Sequence, residues 1–213
     1  MSEKLNHNYS DKEERLNIIT HAFGLLLSVI GLPFLIFKSL NLNGFWKPTS
    51  LIIYGLSLII LYAASTFYHA AKDPHLRRKL NIFDHAAIYV LIAGTYTPFT
   101  ILVLEGFLGW IIFGLTWMFA LTGIILKLFY TGRFDKLSTA LYLLMGWQIM
   151  FVINPLIERF STEGLQLLFA GGVFYTIGAV LYSMKKLPYN HAIFHVFVLL
   201  GSVCHFFSVL NFL

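Results

Sequence analysis

Histidines stand at the ends of several long apolar segments of this chain, and imidazole is the side chain that proteins most often use to bind metal ions. His191 and His195 are four residues apart, so on a helix they share one face and lie about 6 Å apart along the axis. Such a pair can bind one metal ion together. His69, near the end of a different apolar segment, could supply a third imidazole.

Three imidazole ligands are typical of a catalytic zinc site rather than a purely structural one. Zn²⁺ prefers four ligands in a tetrahedron, so three protein nitrogens leave one position for water. Asp84 could hold that water or take its proton. Ser65, one helical turn before His69, could contact the same water or a developing oxyanion. The residue types therefore predict a Zn²⁺ site formed by His69, His191 and His195, with Asp84 and Ser65 as catalytic residues.

The other histidines fit this site less well, because a lone histidine in a membrane helix is usually a hydrogen-bonded packing residue. His205 follows His191 by 14 residues, about 21 Å along a helix, which is too far to share its ion. His85 points about 100° away from Asp84 and is expected at the membrane interface. His21 either hydrogen-bonds the site or closes the bundle. Two are expected in solvent, namely His75 in a basic loop and His7 in the amino-terminal tail.

The elements that must position these residues are membrane-spanning helices. Of the 213 residues, 58% are hydrophobic and only 12% are charged, and the mean hydropathy is +0.75. Soluble domains do not have this composition. Seven segments contain none of the 15 basic and 10 acidic residues, and each can cross a hydrocarbon core of about 30 Å as a helix. They are residues 18–37, 51–71, 86–104, 108–126, 137–156, 165–184 and 189–213. Because the alternation typical of barrel strands is absent, the prediction is an all-α bundle of seven transmembrane helices.

The distribution of basic residues predicts the orientation, because short loops rich in Lys and Arg stay in the cytoplasm. Twelve lie on one side of the predicted bundle and three, Lys38, Lys47 and Arg159, on the other. The twelve are Lys4, Lys12, Arg15, Lys72, Arg77, Arg78, Lys79, Lys127, Arg133, Lys136, Lys185 and Lys186. This places the amino terminus in the cytoplasm, the carboxyl terminus outside, and the candidate site at the cytoplasmic rim. The net charge of +5 indicates topology and attraction to anionic lipids rather than nucleic-acid binding.

A single domain is expected at residues 17–213, after a short polar cytoplasmic tail at residues 1–16. The tail lacks the features of a cleavable signal peptide. The chain has one cysteine, Cys204, so it forms no intramolecular disulfide and no thiolate metal cluster.

The motifs that contain these residues resemble a known family, the haemolysin III group within the progestin and adipoQ receptor superfamily. In chain order they are E-R-L-N-I-I-T-H from Glu14, S-T-F-Y-H from Ser65, N-I-F-D-H around Asp84, G-T-Y-T-P-F after it, and H-A-I-F-H from His191. Each is short, but their order and spacing together are highly specific.

The resemblance implies a seven-helix bundle with a cytoplasmic amino terminus. It also implies one zinc ion on His69, His191 and His195, with Asp84 and Ser65 around a zinc-bound water. Because the superfamily includes alkaline ceramidases, it further implies hydrolysis of a lipid amide.

Three functions remain open for a multi-pass protein of the cell membrane whose partners are membrane lipids. The first is a zinc-dependent hydrolase whose lipid substrate, an amide or ester, enters from the bilayer. The second is a haemolysin that permeabilises membranes, although the predicted spans carry no polar stripe suited to lining a wide channel. The third is a sensor or regulator of the membrane state, with a structural zinc ion. Neither the substrate nor the oligomeric state follows from the sequence.

Overall fold

The computed structural model describes residues 9–130 and 135–213, with only the backbone described at 135 and 136. Within these ranges the chain is all-α, with no strand. The α-helices are α1 (Asp11–Ser39), α2 (Trp46–Ala70), α3 (Pro74–Pro98), α4 (Gly106–Tyr130), α5 (Asp135–Gly146), α6 (Ile153–Arg159), α7 (Thr162–Ser183) and α8 (Asn190–Phe212). A π-helical segment, Phe99–Leu104, continues α3, and a 3₁₀ segment, Gln148–Val152, joins α5 to α6.

These helices form seven segments that are long and apolar enough to cross a membrane, counted within the described residues. The third segment is α3 with its π extension, and the fifth combines α5, the 3₁₀ segment and α6. The prediction of an all-α, seven-spanning membrane protein is confirmed. The prediction that the amino terminus lies in the cytoplasm stays a prediction.

Helix starts follow the local sequence, because side-chain oxygens cap the free backbone N–H groups of the first turn. The Ser10 hydroxyl accepts a hydrogen bond from the Glu13 N–H at 3.3 Å, and acidic residues in this turn favour the positive end of the helix dipole. The Asp73 carboxylate accepts from the Leu76 N–H at 2.7 Å, directly before Pro74. Ser161 caps α7 in the same way.

Several helices extend beyond the predicted apolar segments, and α3 begins twelve residues before its predicted start. The first helix begins at Asp11, so its first turns occupy residues that were expected in a polar tail. The fourth continues to Tyr130 and includes Lys127, which was expected in a cytoplasmic loop but is only 3% exposed in the last turns of α4. A cation near a helix C-terminus interacts favourably with the dipole. His7, Lys4 and Arg133 lie outside the described residues.

The fifth predicted segment is not one continuous α-helix. Pro155 has no backbone N–H to donate to the carbonyl of Phe151, four residues earlier, and its ring clashes with an α-helix there. The chain accordingly leaves the α conformation after Gly146, passes through the 3₁₀ segment, and resumes as α6. Pro98 precedes the π-helical segment of the third span in a similar way.

Helix α3 lies at the centre of the bundle. In its most apolar window, 78% of residues are buried, compared with 22% in α4 and in α7. Helix α2 packs against α1 and α3, α3 packs against α4, and α8 packs against α7 and α1. As a result the start of α1, the end of α2, and the starts of α3 and α8 meet at one end of the bundle. This end contains the predicted site.

The outer surfaces of the helices are rich in large apolar side chains, as a lipid environment requires. Examples are Phe37, Phe107, Phe129 and Phe151, each at least 73% exposed. With the seven spans, this surface identifies a multi-pass membrane protein.

Candidate metal centre

The structure brings His69, His191 and His195 together inside the bundle. All three are buried, and each offers one ring nitrogen to a group whose members lie within 4.8 Å of one another. His69 comes from the last turn of α2, while His191 and His195 occupy successive turns at the start of α8. The ring centroids of the α8 pair are 4.5 Å apart, and that of His69 is 4.9 Å from His191 and 5.1 Å from His195.

The spacing of the nitrogens fits a metal ion. Nε2 of His69 lies 3.1 Å from Nε2 of His191. Two nitrogens bound at about 2.0–2.1 Å to one tetrahedral Zn²⁺ would be about 3.3 Å apart. The three buried histidines could therefore hold one ion with little rearrangement.

The Nδ1 atom of His69 contacts a carboxylate. Glu14 Oε2 lies 2.7 Å from it, and the other Glu14 oxygen pairs with the guanidinium of Arg77. A carboxylate accepts hydrogen bonds, so this contact places the His69 proton on Nδ1 and leaves a lone pair on Nε2. That lone pair can bind a metal ion.

The Nδ1 atoms of the other two histidines also have partners, and all of these partners lie in the amino-terminal segment. Tyr9 Oη lies 2.9 Å from Nδ1 of His191. Burial raises the pKa of Tyr9 well above its ordinary value, so its phenol stays neutral. Nδ1 of His195 lies 3.3 Å from the Asn17 carbonyl and 3.4 Å from the Thr20 hydroxyl. All three rings can thus direct Nε2 to the shared position, as is usual for metal-binding histidines whose second nitrogen is hydrogen-bonded.

Sequence reasoning did not assign these supporting residues. Glu14, Asn17 and His21 are spaced three and four residues apart, so they share one face of α1 where its apolar part begins; this is a signal of a polar face directed into the bundle. That signal could have identified them as supports. Tyr9 carried no comparable signal, because it precedes α1 and its partner is 182 residues away.

Asp84 lies beside the histidines and is 8% exposed. It lines the same cavity as His191 and His195, and its carboxyl is within electrostatic reach of His69. Ser65 is fully buried and close to Asp84, although no hydrogen bond of normal geometry joins the two. Within the described chain, Ser65 is not part of the cavity wall.

His21 and His205 do not belong to the ligand group. The His21 ring stacks on His195 with centroids 3.4 Å apart, and neither of its nitrogens has a hydrogen-bond partner among the described residues. His21 therefore contacts the site by stacking on the His195 ring and not by a hydrogen bond. Nε2 of His205 lies 3.0 Å from the Leu168 carbonyl, far along α8.

The remaining histidines have other surroundings. His85 Nδ1 lies 2.9 Å from the Asn81 carbonyl, and this ring forms part of the cavity wall. His75 is exposed, as the sequence predicts, although it lies in the first turn of α3 rather than in a loop.

A cavity of about 160 Å³ extends from the histidines into the bundle. Residues of α3, α5, α7 and α8 form most of its wall, and Asp84, His191 and His195 lie at one end. Much of the wall is apolar, with Leu91, Ile92, Leu143, Phe194 and Val198 among its residues. One water molecule needs about 10–15 Å³, so the space beside the histidines is large enough for part of an organic ligand.

The contact between Glu14 and His69 yields a testable prediction. Replacing Glu14 with glutamine removes the charge that favours the Nδ1–H form of His69, so we expect zinc affinity to fall about 10-fold to 100-fold. Competition with a chromophoric chelator measures this change. Asp11→Asn is the matched control, because Asp11 is exposed in the first turn of the same helix. Equal affinity in Glu14→Gln and wild-type protein would contradict a supporting role for Glu14.

Comparison with known proteins identifies a family. Residues 9–206 match the family described as haemolysin-III related. The chain is 46% identical to the hemolysin-3 homolog of Bacillus subtilis (strain 168) over 202 residues, which cover 95% of each chain. It is 45% identical to hemolysin-3 of Bacillus cereus over 199 residues, covering 93% of this chain and 91% of the relative.

A more distant relative is the human monocyte to macrophage differentiation factor, 30% identical over 211 residues that cover 94% of this chain and 84% of that protein. No solved structure matches the chain significantly. The family match and the two bacillus relatives each span nearly the whole chain, including the three histidines. The chain therefore belongs to the haemolysin III family.

Proposed function

We propose that this protein is a zinc-dependent hydrolase that cleaves an amide or ester bond of a lipid within the membrane. The observation that carries the proposal is the cavity that reaches the buried histidines. Structural zinc sites are closed by four protein ligands, whereas catalytic sites have three and keep a position open. Three histidines beside a cavity large enough for an organic group match the catalytic pattern.

His69, His191 and His195 would hold the ion through Nε2, with Nδ1 of each ring oriented by the amino-terminal segment. When bound, zinc would supply Lewis-acid polarisation of a carbonyl and would lower the pKa of water towards about 7. The lipid chain would occupy the apolar part of the cavity, which it would enter from the bilayer.

Asp84 is the proposed general base. Its carboxylate lies on the cavity wall next to the histidines, where it could orient a water molecule and accept its proton. The same carboxyl group could then donate that proton to the leaving amine or alcohol. Ser65 is fully buried behind this wall, so we assign it a positioning role at the Asp84 carboxyl rather than contact with the substrate.

The test is lipid turnover by the purified full-length protein in liposomes that contain ceramide, phosphatidylcholine or an N-acyl amino acid. We expect release of free fatty acid from at least one of them with zinc, and loss of release after treatment with a chelator. Mass spectrometry of the released fatty acid measures turnover. No release from any zinc-loaded sample would contradict the hydrolase proposal.

The names of the two bacillus relatives favour a second candidate, permeabilisation of membranes. The same liposomes can carry an entrapped dye. Dye leakage without fatty-acid release, unaffected by Asp84→Asn, would support permeabilisation. Zinc binding with neither leakage nor release would instead support a sensor or regulator with a structural zinc ion.

A further inference from the structure

Arg77 lies at the edge of the metal centre, where α1, α2 and α3 meet. It stands near the start of α3, and its guanidinium carbon lies over the Tyr68 ring of α2, 4.8 Å from the ring centroid. The Arg77 side chain is 27% exposed, compared with 18% for Glu14 and 0% for His69. Arg77 is therefore the outermost member of a series of contacts that ends at a candidate metal ligand.

The two terminal nitrogens of Arg77 have different partners. Nη2 donates a hydrogen bond to Oε1 of Glu14, while Nη1 lies 3.5 Å from the carbonyl oxygen of His69 and 3.3 Å from that of Ala71. These carbonyls lie at the end of α2, where backbone acceptors have no N–H partner within the helix. The planar guanidinium thus joins the Glu14 carboxylate to the end of the helix that carries His69.

Glu14 uses both of its carboxylate oxygens in this arrangement. Oε1 accepts from Arg77, and Oε2 lies 2.7 Å from Nδ1 of His69. A glutamate side chain has several rotatable bonds, and packing alone does not hold a partly exposed one in a single rotamer. The contact with Arg77 restricts this freedom and keeps Oε2 directed at the histidine.

The orientation of Glu14 matters because a second group competes for the same ring nitrogen. The amide nitrogen of Asn17 lies 3.4 Å from Nδ1 of His69. In this orientation the amide is a donor, so it favours an unprotonated Nδ1 and a proton on Nε2. The carboxylate favours the opposite tautomer, in which Nε2 has the lone pair that a metal ion needs.

We propose that Arg77 is a positioning residue of the metal centre. By holding Glu14 against Nδ1, it selects the tautomer of His69 whose Nε2 can bind the ion. Among the described residues, Arg77 is neither in the group of potential ligands nor on the cavity wall, so its effect passes through Glu14. Of the proposed function, this inference rests only on zinc binding by the histidines and not on hydrolysis.

Zinc affinity of the purified full-length protein, measured by competition with a chromophoric chelator, tests the inference. Arg77→Met removes the guanidinium but keeps much of the side-chain length. We expect the affinity to fall about tenfold, the lower end of the range for groups that support a metal ligand. Arg77→Lys should lose less, because its ammonium keeps the charge but has no planar fork to reach both partners. Arg78→Met is the matched control, because Arg78 is the exposed neighbour of Arg77.

A double variant shows whether Arg77 acts through Glu14. Once Glu14 is glutamine, Arg77 has no carboxylate to hold, so Glu14→Gln/Arg77→Met should bind zinc as Glu14→Gln alone does. Additive losses would instead show that Arg77 acts through the α2 carbonyls or through packing, and would overturn the inference. Unchanged or higher affinity in folded Arg77→Met would overturn it as well.

Nitrogen NMR spectra of the histidine rings give a second measurement, one that uses zinc-free protein. The signals that disappear in His69→Gln identify His69. In wild-type protein we expect its proton on Nδ1, and in Arg77→Met we expect part of the population to carry it on Nε2. A purely structural role of Arg77 would not shift this balance. A wild-type His69 protonated mainly on Nε2 would contradict the inference.

Circular dichroism verifies the helical fold of each variant. If Arg77→Met does not fold, Arg77→Lys decides by the same two measurements, and wild-type affinity and tautomer in that variant would overturn the inference. A protein that shows both effects but cleaves no lipid would contradict the proposed hydrolase and leave the role of Arg77 intact. If wild-type protein binds no zinc, the proposed function fails, whereas the tautomer comparison still tests Arg77.

Discussion

Replacement of His195 with alanine is expected to weaken zinc binding roughly 100-fold to 1000-fold. Apparent binding free energies of structural zinc sites with four ligands are about 10–16 kcal/mol, so one ligand corresponds to about 2.5–4 kcal/mol. His195 is 1% exposed and lies between the rings of His191, His69 and His21. Among the described residues, the group that could hold a metal ion contains no fourth member to replace the lost nitrogen. Metal analysis after dialysis and chelator competition measure the change, with about one zinc per chain expected for wild-type protein.

His75→Ala is the control for this experiment, because it removes an exposed histidine from the start of α3. Loss of a buried ring also leaves a void that could disturb packing. His195→Gln fills more of that space and should show a similar loss of zinc with the helical content preserved. Wild-type zinc content and affinity in folded His195→Ala would exclude the three-histidine centre.

Replacement of Asp84 with asparagine is expected to abolish lipid hydrolysis while zinc remains bound. Asparagine has nearly the same shape as aspartate but cannot accept a proton at neutral pH, and loss of general-base catalysis costs about 10²-fold to 10⁴-fold in rate. Asp84 lies on the cavity wall beside His191 and His195 but is not in the group of nitrogens that could hold the ion. Fatty-acid release and zinc content, measured on the same sample, separate the two effects.

Ser65→Ala provides a graded comparison with this variant. Ser65 is buried near Asp84 and outside the cavity wall, so its removal should reduce turnover about tenfold or less, as expected when one polar group beside the carboxyl is lost. Full activity in Asp84→Asn would exclude Asp84 as the base. Loss of zinc together with activity would place Asp84 among the residues needed for metal binding instead.

The predicted spans and the observed helices differ at helix ends, because features other than hydrophobicity determine where a helix begins and ends. An apolar segment marks the part of a helix that lies in the hydrocarbon core, and each of the seven predicted segments overlaps one observed span. They do not show that Ser10 caps α1 before the apolar residues begin, or that α4 continues to Tyr130 with Lys127 buried inside. Helix ends depend on capping and on contacts between helices, which hydropathy does not record.

The sequence predicts which three histidines lie together, but it does not predict the residues that contact their Nδ1 atoms. His191 and His195 share a helix face because they are four residues apart, a relation that any α-helix imposes. His69 lies at the end of the second span, and the α8 pair lies at the start of the last span, so the order of the spans places all three at the same side of the membrane. The partners of their Nδ1 atoms depend on how α1 packs against α2 and α8, and so does the contact of Tyr9 with His191.

Helix length, residue spacing and short motifs are local properties of the chain, so they were sufficient to predict the seven spans, the family and the candidate ligands His69, His191 and His195. The packing of the helices shows which residues contact the Nδ1 atoms of the histidines, that His21 stacks on His195, and that one cavity is lined by both the site and His205. These features depend on contacts between residues distant in the chain. Such contacts arise from packing the apolar surfaces of several helices together, and the spacing of residues within one helix does not specify them.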